Sequence, residues 1–210
     1  MNKKIIIIPI LVNFLLTGCV GRIVNYDDSP KIKQNYIIKE NKEVIKSPLG
    51  YKSFIKKQNP KLDEEKISYL SYFITRYSKE NNLDTRLVLS LMARESSFRS
   101  DVVSPSGAVG LGQLLPSTAK DMGVDDPFNP EENAKATTKY IAWLLKKWNG
   151  DVDKTLASYK IGLGTVGNLL KAGKEYPEDT KSYIQDIKNY RDKIAEEWNY
   201  NQKELVFKNV

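Results

Sequence analysis

The sequence contains no histidine and a single cysteine, Cys19, among its 210 residues. The lack of histidine excludes Ser-His-Asp and Cys-His nucleophile systems and every metal site that needs imidazole ligands. One cysteine cannot form an intrachain disulfide or a cysteine-ligated zinc or iron–sulfur site. Any catalysis must therefore depend on carboxylates, tyrosine, lysine or hydroxyl groups, and we expect no cofactor and no metal.

Acidic residues are the minority among the charged ones, so the chain has a formal net charge of +7. This excess favours an acidic partner such as a nucleic acid, an anionic lipid or a cell-wall polymer. Because the sequence has no dense Arg/Lys block and no nucleic-acid motif, we expect no nucleic-acid binding. The 40% hydrophobic and 28% charged residues are typical of one globular domain with additional segments.

The hydrophobic run at the N terminus, residues 5–16, is too short to form a stable membrane span and follows the basic pair Lys3 and Lys4. This arrangement is typical of a signal peptide. The sequence Leu16-Thr17-Gly18-Cys19 resembles the bacterial lipobox, in which the cysteine becomes the lipidated first residue after cleavage. The alternative is an ordinary signal peptide with a chance cysteine. We predict a signal peptide over 1–18 and a membrane anchor through lipidated Cys19.

The residue after the predicted lipidation site bears on localisation. Val20 follows Cys19, and no aspartate stands there to favour retention at the inner membrane of a Gram-negative envelope. We therefore expect the chain to be anchored at the periplasmic face of the outer membrane.

The remaining chain divides by its hydrophobic pattern. Residues 19–60 are polar and lack sustained periodicity, which predicts a flexible tether after the lipidated cysteine. Residues 61–200 are predicted to form a mainly α domain, and 201–210 a C-terminal tail, since no run alternates at strand period. Apolar spacing, caps and breakers predict helices from Asp63 through Tyr77, over 84–96, from Pro116 to before Gly123, from Pro130 to before Gly150, over 153–160 and 165–172, and from Thr180 onward.

The second predicted helix carries a carboxylate on its apolar stripe. Val88, Leu91 and Glu95 share one helical face. Burial and the nearby helix C terminus both disfavour a negative charge there, so the pKa of Glu95 is expected to rise, as a general acid requires. This helix alone equally allows a solvated salt bridge from Glu95 to Arg94 or Arg99.

The next segment, Ser104–Pro116, is a Gly/Ser-rich loop that leads into a helix. Its glycines allow the backbone to approach a ligand closely, and its hydroxyls and amide offer hydrogen bonds to sugar hydroxyls and carbonyls. The alternative is a turn-rich connector with its own capping bonds. The loop by itself does not decide between the two.

Taken in order, several segments closely resemble the catalytic domain of the soluble lytic transglycosylases, over roughly residues 70–190. The resemblance implies a lysozyme-like helical fold and cleavage of the β-1,4 bond between N-acetylmuramic acid and N-acetylglucosamine in peptidoglycan. The segments that carry it are Glu95–Phe98, Ser106–Ala119, Asp126–Pro130, Tyr140–Leu145, Asn149–Asp151, Leu156–Gly162 and Tyr176–Tyr183.

The resemblance implies that Glu95 is the single catalytic carboxylate, acting first as acid and then as base. The muramyl C6 hydroxyl then attacks its own anomeric carbon without water and leaves a 1,6-anhydro end. Because that oxygen is intramolecular, the usual second carboxylate is not needed. The resemblance also implies that Ser104, Ser106 and Gln113 contact sugar. It implies that Leu115 is an apolar wall of the cleft and that Tyr159 orients Glu95.

Two positions depart from the family pattern. Lys160 stands where the family commonly has an asparagine, and a cation there would lower the pKa of Glu95 and weaken it as an acid. Lys160 could instead face solvent, or meet an anionic stem peptide or lactyl group. We predict that Glu95 keeps a raised pKa, with Lys160 turned away from it. Asp179 stands where the family usually has glutamate, and we include it as a substrate-binding candidate.

Three alternatives remain open from the sequence. The first is a hydrolase of the same fold, resembling goose-type lysozyme, for which Asp101, Asp125 or Asp126 would supply a second carboxylate. The second, motivated by Lys160, is a catalytically weak lipoprotein that binds the wall or assists its assembly. The third is a specialised transglycosylase that opens the wall for a secretion or conjugation machine, whose proteins would be its partners.

Overall fold

The computed structural model describes residues 22–23 and 49–207, without the side chains of 22, 23, 49 and 197–207. The predicted signal peptide, the lipidation site Cys19 and most of the predicted tether lie outside the described residues. The described residues form eight helices, which confirms the mainly α prediction. The helices are α1 (Leu49–Gln58), α2 (Glu64–Glu80), α3 (Thr85–Ser96), α4 (Pro116–Asp121), α5 (Pro130–Lys147), α6 (Val152–Ile161), α7 (Leu163–Lys171) and α8 (Glu178–Phe207).

The helix starts follow from side-chain caps. Asp63 accepts a hydrogen bond from the Lys66 backbone N–H, and Asn129 accepts two such bonds at the start of α5, ahead of Pro130. Asp84 and Asp151 cap α3 and α6 in the same way. These caps satisfy backbone donors that have no partner within the helix. The predicted start of α5 is therefore confirmed in its chemistry as well as its position.

The long helix α8 organises the core, because α1, α3 and α6 all pack against it, while α2 packs against α5. Each helix contributes its apolar stripe and leaves polar residues outside, as amphipathic helices do. The fully buried core includes Phe54, Ile55, Ile67, Phe73, Ile74, Leu91, Met92, Phe98, Leu156, Val166, Ile187 and Ile194.

The predicted tether extends too far into the domain. Leu49–Gln58 is helical, and Phe54 and Ile55 of this helix are fully buried in the core. Phe54 and Ile55 are adjacent and flanked by lysines, so the sequence of this segment shows little helical periodicity. Its contribution to the core is recognised only from the packed structure. The predicted C-terminal tail is also wrong in part, since α8 continues to Phe207.

A small ladder accompanies the helices. Strand β1 (Arg22–Ile23) pairs antiparallel with β2 (Val102–Val103), with Arg22 opposite Val103. Strands of two residues are too short to produce an alternating pattern, which is why the sequence did not indicate them. Among the described residues, no helix combines the length and apolar character needed to cross a bilayer.

Candidate active site

The last turn of α3 presents Glu95 at the edge of the core. Val88 and Leu91, on the same face, are fully buried, whereas Glu95 is half-buried. The predicted position of this carboxylate on the apolar stripe is therefore confirmed. The helix C terminus adds a dipole that disfavours its negative charge.

The chain leaves α3 through a tight turn that fixes the Glu95 backbone. Ser97 and Phe98 both adopt positive φ values, 51° and 59°, which are uncommon for residues with side chains. Such a turn persists only where its surroundings hold it. Here Phe98 is buried with its ring 6.2 Å from that of Phe54, edge to face, and the Asn59 amide donates to the Ser97 carbonyl at 3.1 Å.

Tyr183 is the side chain that holds the Glu95 carboxylate. Its hydroxyl donates a hydrogen bond of 2.5 Å to Glu95 Oε1, and the ring, on α8, is only 1% exposed. Tyr183 was not among the site residues predicted from the sequence, where it was only the last residue of the segment Tyr176–Tyr183. The available signal was a hydroxyl on an apolar stripe, since a buried tyrosine hydroxyl usually finds a partner.

Two cations lie against the ring of Tyr183. Lys160 Nζ is 5.5 Å from the ring centroid, and the Arg94 guanidinium carbon is 5.6 Å from it. Arg94 also forms an ion pair with Asp186, with Nε and Oδ2 2.9 Å apart. The tyrosine that bonds to the carboxylate is thus itself in contact with positive charge.

The pKa of Glu95 reflects these neighbours. Burial is the largest effect and raises the pKa, whereas the Tyr183 hydrogen bond and then the charges of Lys160 and Arg94 lower it. The net direction is upward, as expected from the sequence. The predicted orientation of Lys160 is wrong: its ammonium group does not turn away but lies close enough for its charge to act on Glu95.

The side chain of Asn133, on α5, holds the Gly/Ser-rich loop against this helix and is fully buried. Asn133 Oδ1 accepts from the Gly112 N–H at 2.8 Å, and Nδ2 donates to the carbonyls of Val109 and Pro127 at 2.9 and 2.8 Å. A side chain at Gly110 or Gly112 would collide with Asn133 or Thr137. These glycines are thus required by the close approach of the loop to α5.

Tyr159 lies beside the site but does not bond to the carboxylate. Its hydroxyl donates to the Gly112 carbonyl at 2.6 Å. Burial raises the pKa of Tyr159, and the charge of Glu95 raises it further. Tyr183 makes the direct bond to Glu95, whereas Tyr159 bonds to the loop. The orientation of Glu95 by Tyr159 therefore remains a prediction.

The loop residues selected from the sequence are positioned as follows. The Ser104 and Ser106 hydroxyls are 2.9 Å apart, and Ser104 Oγ accepts from the Ala108 N–H. Gln113 donates through Nε2 to the Val102 and Gly110 carbonyls, both at 3.0 Å. Leu115 is 44% exposed, as a cleft wall would be. Their contacts with sugar remain predictions.

The carboxylates considered as further site residues are exposed. Asp179 lies in the first turn of α8, one turn before Tyr183, and its assignment remains a prediction. Asp101, Asp125 and Asp126 are exposed as well, and Asp126 accepts a hydrogen bond from the Phe128 N–H. The described part of the chain contains no cluster of three or more potential metal ligands.

Comparison with protein families gives a match that includes Glu95 and the Gly/Ser-rich loop. The model described as "Transglycosylase SLT domain" matches residues 72–182. The Membrane-bound lytic murein transglycosylase F of Haemophilus influenzae (strain PittEE) is 28% identical over 129 residues, which are 59% of this chain and 27% of that protein. The chain thus spans about a quarter of the length of this curated relative.

Solved structures give the same fold. An inactive mutant of the lytic transglycosylase Slt from Pseudomonas aeruginosa superposes with a TM-score of 0.55 and 25% identity, covering 60% of this chain and 24% of that one. The 70 kDa soluble lytic transglycosylase of Escherichia coli superposes with a TM-score of 0.56 and 20% identity, covering 68% of this chain and 28% of that one. These likenesses confirm the predicted lysozyme-like helical fold.

Proposed function

Because the chain belongs to the transglycosylase SLT domain family, we propose that it is a peptidoglycan lytic transglycosylase with Glu95 as its catalytic residue. The observation that carries the proposal is the half-buried Glu95 carboxyl at the end of α3, held by Tyr183 and raised in pKa by burial. The named relative acts on murein, which is the same substrate class.

The first step requires Glu95 as an acid. Its raised pKa favours the protonated form, and the proton passes to the glycosidic oxygen as the bond from this oxygen to the muramyl anomeric carbon breaks. Tyr183 occupies Oε1, so the proton is transferred from Oε2. The fixed turn after Glu95 keeps this oxygen in one place, which favours proton transfer.

The second step uses the same group as a base. The muramyl C6 hydroxyl attacks the anomeric carbon, and its proton passes to the Glu95 carboxylate, which regenerates the acid. The Tyr183 hydrogen bond stabilises the carboxylate between the two steps. Because nucleophile and electrophile belong to one sugar, no water enters and no second carboxylate takes part.

The charges around Glu95 favour this reaction over lysozyme-like hydrolysis. A two-carboxylate hydrolase places a second acid opposite the first. The neighbouring charges that act on the pKa of Glu95 are those of the cations Lys160 and Arg94, while Asp101 and Asp125 are exposed. This surrounding is suited to a single carboxylate.

Anchoring forms a separate part of the proposal. We infer that Cys19 is lipidated and holds the domain in the cell envelope, at the periplasmic face of the outer membrane, near the glycan strands. The sole cysteine in a lipobox-like sequence supports this inference, and the named relative is membrane-bound. Replacing Cys19 with Ser should move the protein from the membrane to the soluble fraction; equal membrane retention would contradict lipidation.

Digestion of purified peptidoglycan tests the activity. The wild-type protein should release muropeptides with 1,6-anhydro ends, one water lighter by mass spectrometry than the reducing-end products of a lysozyme. Glu95→Gln should reduce release by at least about 100-fold, because it removes the acid and base while keeping the shape. Reducing-end products would support the hydrolase alternative, and equal, negligible release by both proteins with retained wall binding would support the wall-binding alternative.

A further inference from the structure

A row of aromatic side chains leads from the candidate active site to the surface. The ring centroids of Tyr159 and Tyr140 are 5.3 Å apart, and those of Tyr140 and Trp143 are 5.9 Å apart. The latter pair is nearly parallel, at 17°. We name these three residues the aromatic row.

The outer end of the row is exposed. Trp143 is 40% exposed on α5, and the ammonium group of the exposed Lys147, one turn further on, lies 5.4 Å from its ring centroid. The solvated side of an amphipathic helix normally carries polar residues. A tryptophan in this place stacks on Tyr140 without being buried in the core, so much of its surface remains available to a ligand.

The inner end of the row is continuous with the active site. Tyr159 bonds through its hydroxyl to the carbonyl of Gly112, within the loop that borders Glu95. Ser96, next to Glu95, also donates to this loop, at the Leu111 carbonyl at 2.9 Å. The row therefore connects this loop with the exposed Trp143 on α5.

The chemistry of the row matches a glycan strand. Aromatic faces carry a negative quadrupole, and the polarised C–H groups on one face of a pyranose ring pack against them. A nearby ammonium group suits a carboxylate carried by the same strand, whether on a lactyl group or a stem peptide. Trp143 and Lys147 together offer both contacts at one turn of helix.

We propose that Tyr140, Trp143 and Lys147 form an outer subsite that stacks one sugar of the peptidoglycan strand and pairs Lys147 with a carboxylate on it. The subsite rests on the proposed function for its ligand. It would hold the strand at a distance from the bond that is cut. Remote binding of this kind increases affinity for long strands and leaves the chemical step to Glu95.

Binding to purified peptidoglycan sacculi, measured by co-sedimentation, tests the subsite. All proteins carry Glu95→Gln, so that the wall stays intact during the measurement. Trp143→Ala should weaken binding about five- to tenfold, from the loss of one aromatic stack. Trp143→Phe should retain part of the affinity, and Lys147→Glu should weaken binding by reversing a charge.

Leu170→Ala is the matched control, because Leu170 is also 40% exposed but lies on α7, outside the row. It should bind as the parent does. Unchanged binding by Trp143→Ala would overturn the subsite. A parent that dimerises through Trp143, with wall binding independent of that residue, would also overturn it and assign the surface to a second copy.

The two proposals fail in different ways. If the subsite is wrong but the function right, the wild-type protein still releases anhydro-muropeptides and Trp143→Ala sediments with sacculi as the parent does. If the function is wrong, the wild-type protein releases no such products, whatever the sedimentation of the variants.

Discussion

At the scale of single residues, Glu95 is defined by opposing effects on one carboxyl. Burial raises its pKa, and the hydroxyl of Tyr183 and the charge of Lys160 lower it. In the proposed reaction this carboxyl releases a proton and then takes one back, so neither a very high nor a very low pKa would suit it. Lys160 is the part of this balance that departs from the family pattern.

Replacing Lys160 with Asn should move the activity toward higher pH. Glu95 works as an acid only while protonated, so the rate falls as pH rises through its pKa. Without the cation this pKa rises further, and the falling limb of the kcat/KM profile shifts to higher pH. The profile is measured with soluble glycan strands over a range of buffers.

Lys160→Arg keeps the charge and should leave that limb near its wild-type position. A falling limb that moves to lower pH in Lys160→Asn, or stays in place, would contradict the proposed lowering of the Glu95 pKa by Lys160.

The sequence identified Glu95 but not the side chain that holds it. Glu95 was recognisable because a charged residue on an apolar stripe is unusual. Tyr183 and Tyr159 are both aromatic residues on core-facing stripes, and which hydroxyl reaches the carboxyl depends on how α6 and α8 pack on α3. That packing depends on contacts distant in sequence.

At the scale of elements, the loop after β2 is held by α5. Asn133 satisfies one donor and one acceptor of the loop backbone and also bonds to the Pro127 carbonyl ahead of α5. Tyr159 adds a bond to the loop from α6. A loop held in this way has one conformation before substrate arrives, which reduces the ordering cost on binding.

Gly112→Ala should disrupt the contact between this loop and α5. The added methyl group would collide with Thr137, so the loop or α5 must shift. We expect a loss of about 1–3 kcal/mol in the free energy of unfolding, measured by urea denaturation, together with lower muropeptide release.

Gly164→Ala in α7 is the control, since a methyl group there meets nothing within 4 Å. It should leave stability unchanged or raise it by up to about 1 kcal/mol through helix propensity. Equal changes in the free energy of unfolding for the two substitutions would contradict the close contact between the loop and α5.

Elements with local signals were the predictable ones. α3 and α5 have a cap residue, an apolar stripe and a clear end within their own sequence, and their predicted bounds agree with the structure to within a few residues. α1 has no side-chain stripe of that kind, and its place is fixed by contacts with α8, far along the chain.

At the scale of the whole molecule, α1 and α8 both pack against α3, the helix that carries Glu95. α1 packs against both α3 and α8, and its Phe54 contacts Phe98 in the turn after Glu95 and Tyr190 of α8. Asn59, directly after α1, bonds to the same turn. The domain therefore begins before residue 61, and α1 supports the turn that follows Glu95.

Phe54→Ala tests this role of α1. Loss of a fully buried aromatic side chain should lower the free energy of unfolding by about 3–5 kcal/mol. Phe128→Ala, at a phenylalanine that is 47% exposed, should change it by no more than about 0.5 kcal/mol. Thermal or urea unfolding followed by circular dichroism gives both values. If Phe54→Ala changes the free energy of unfolding only slightly, α1 is not part of the stable domain and belongs to the tether.

The pKa of Glu95 in the wild-type protein is the most direct test of its proposed role as the acid of the reaction. Carbon-13 NMR can follow its side-chain carboxyl as pH changes, with Glu95→Gln identifying the signal. We expect a midpoint above the ordinary value of about 4.3, because the effect of burial on the pKa outweighs those of Tyr183 and the two cations. A midpoint at or below that value would contradict Glu95 as the acid of the reaction.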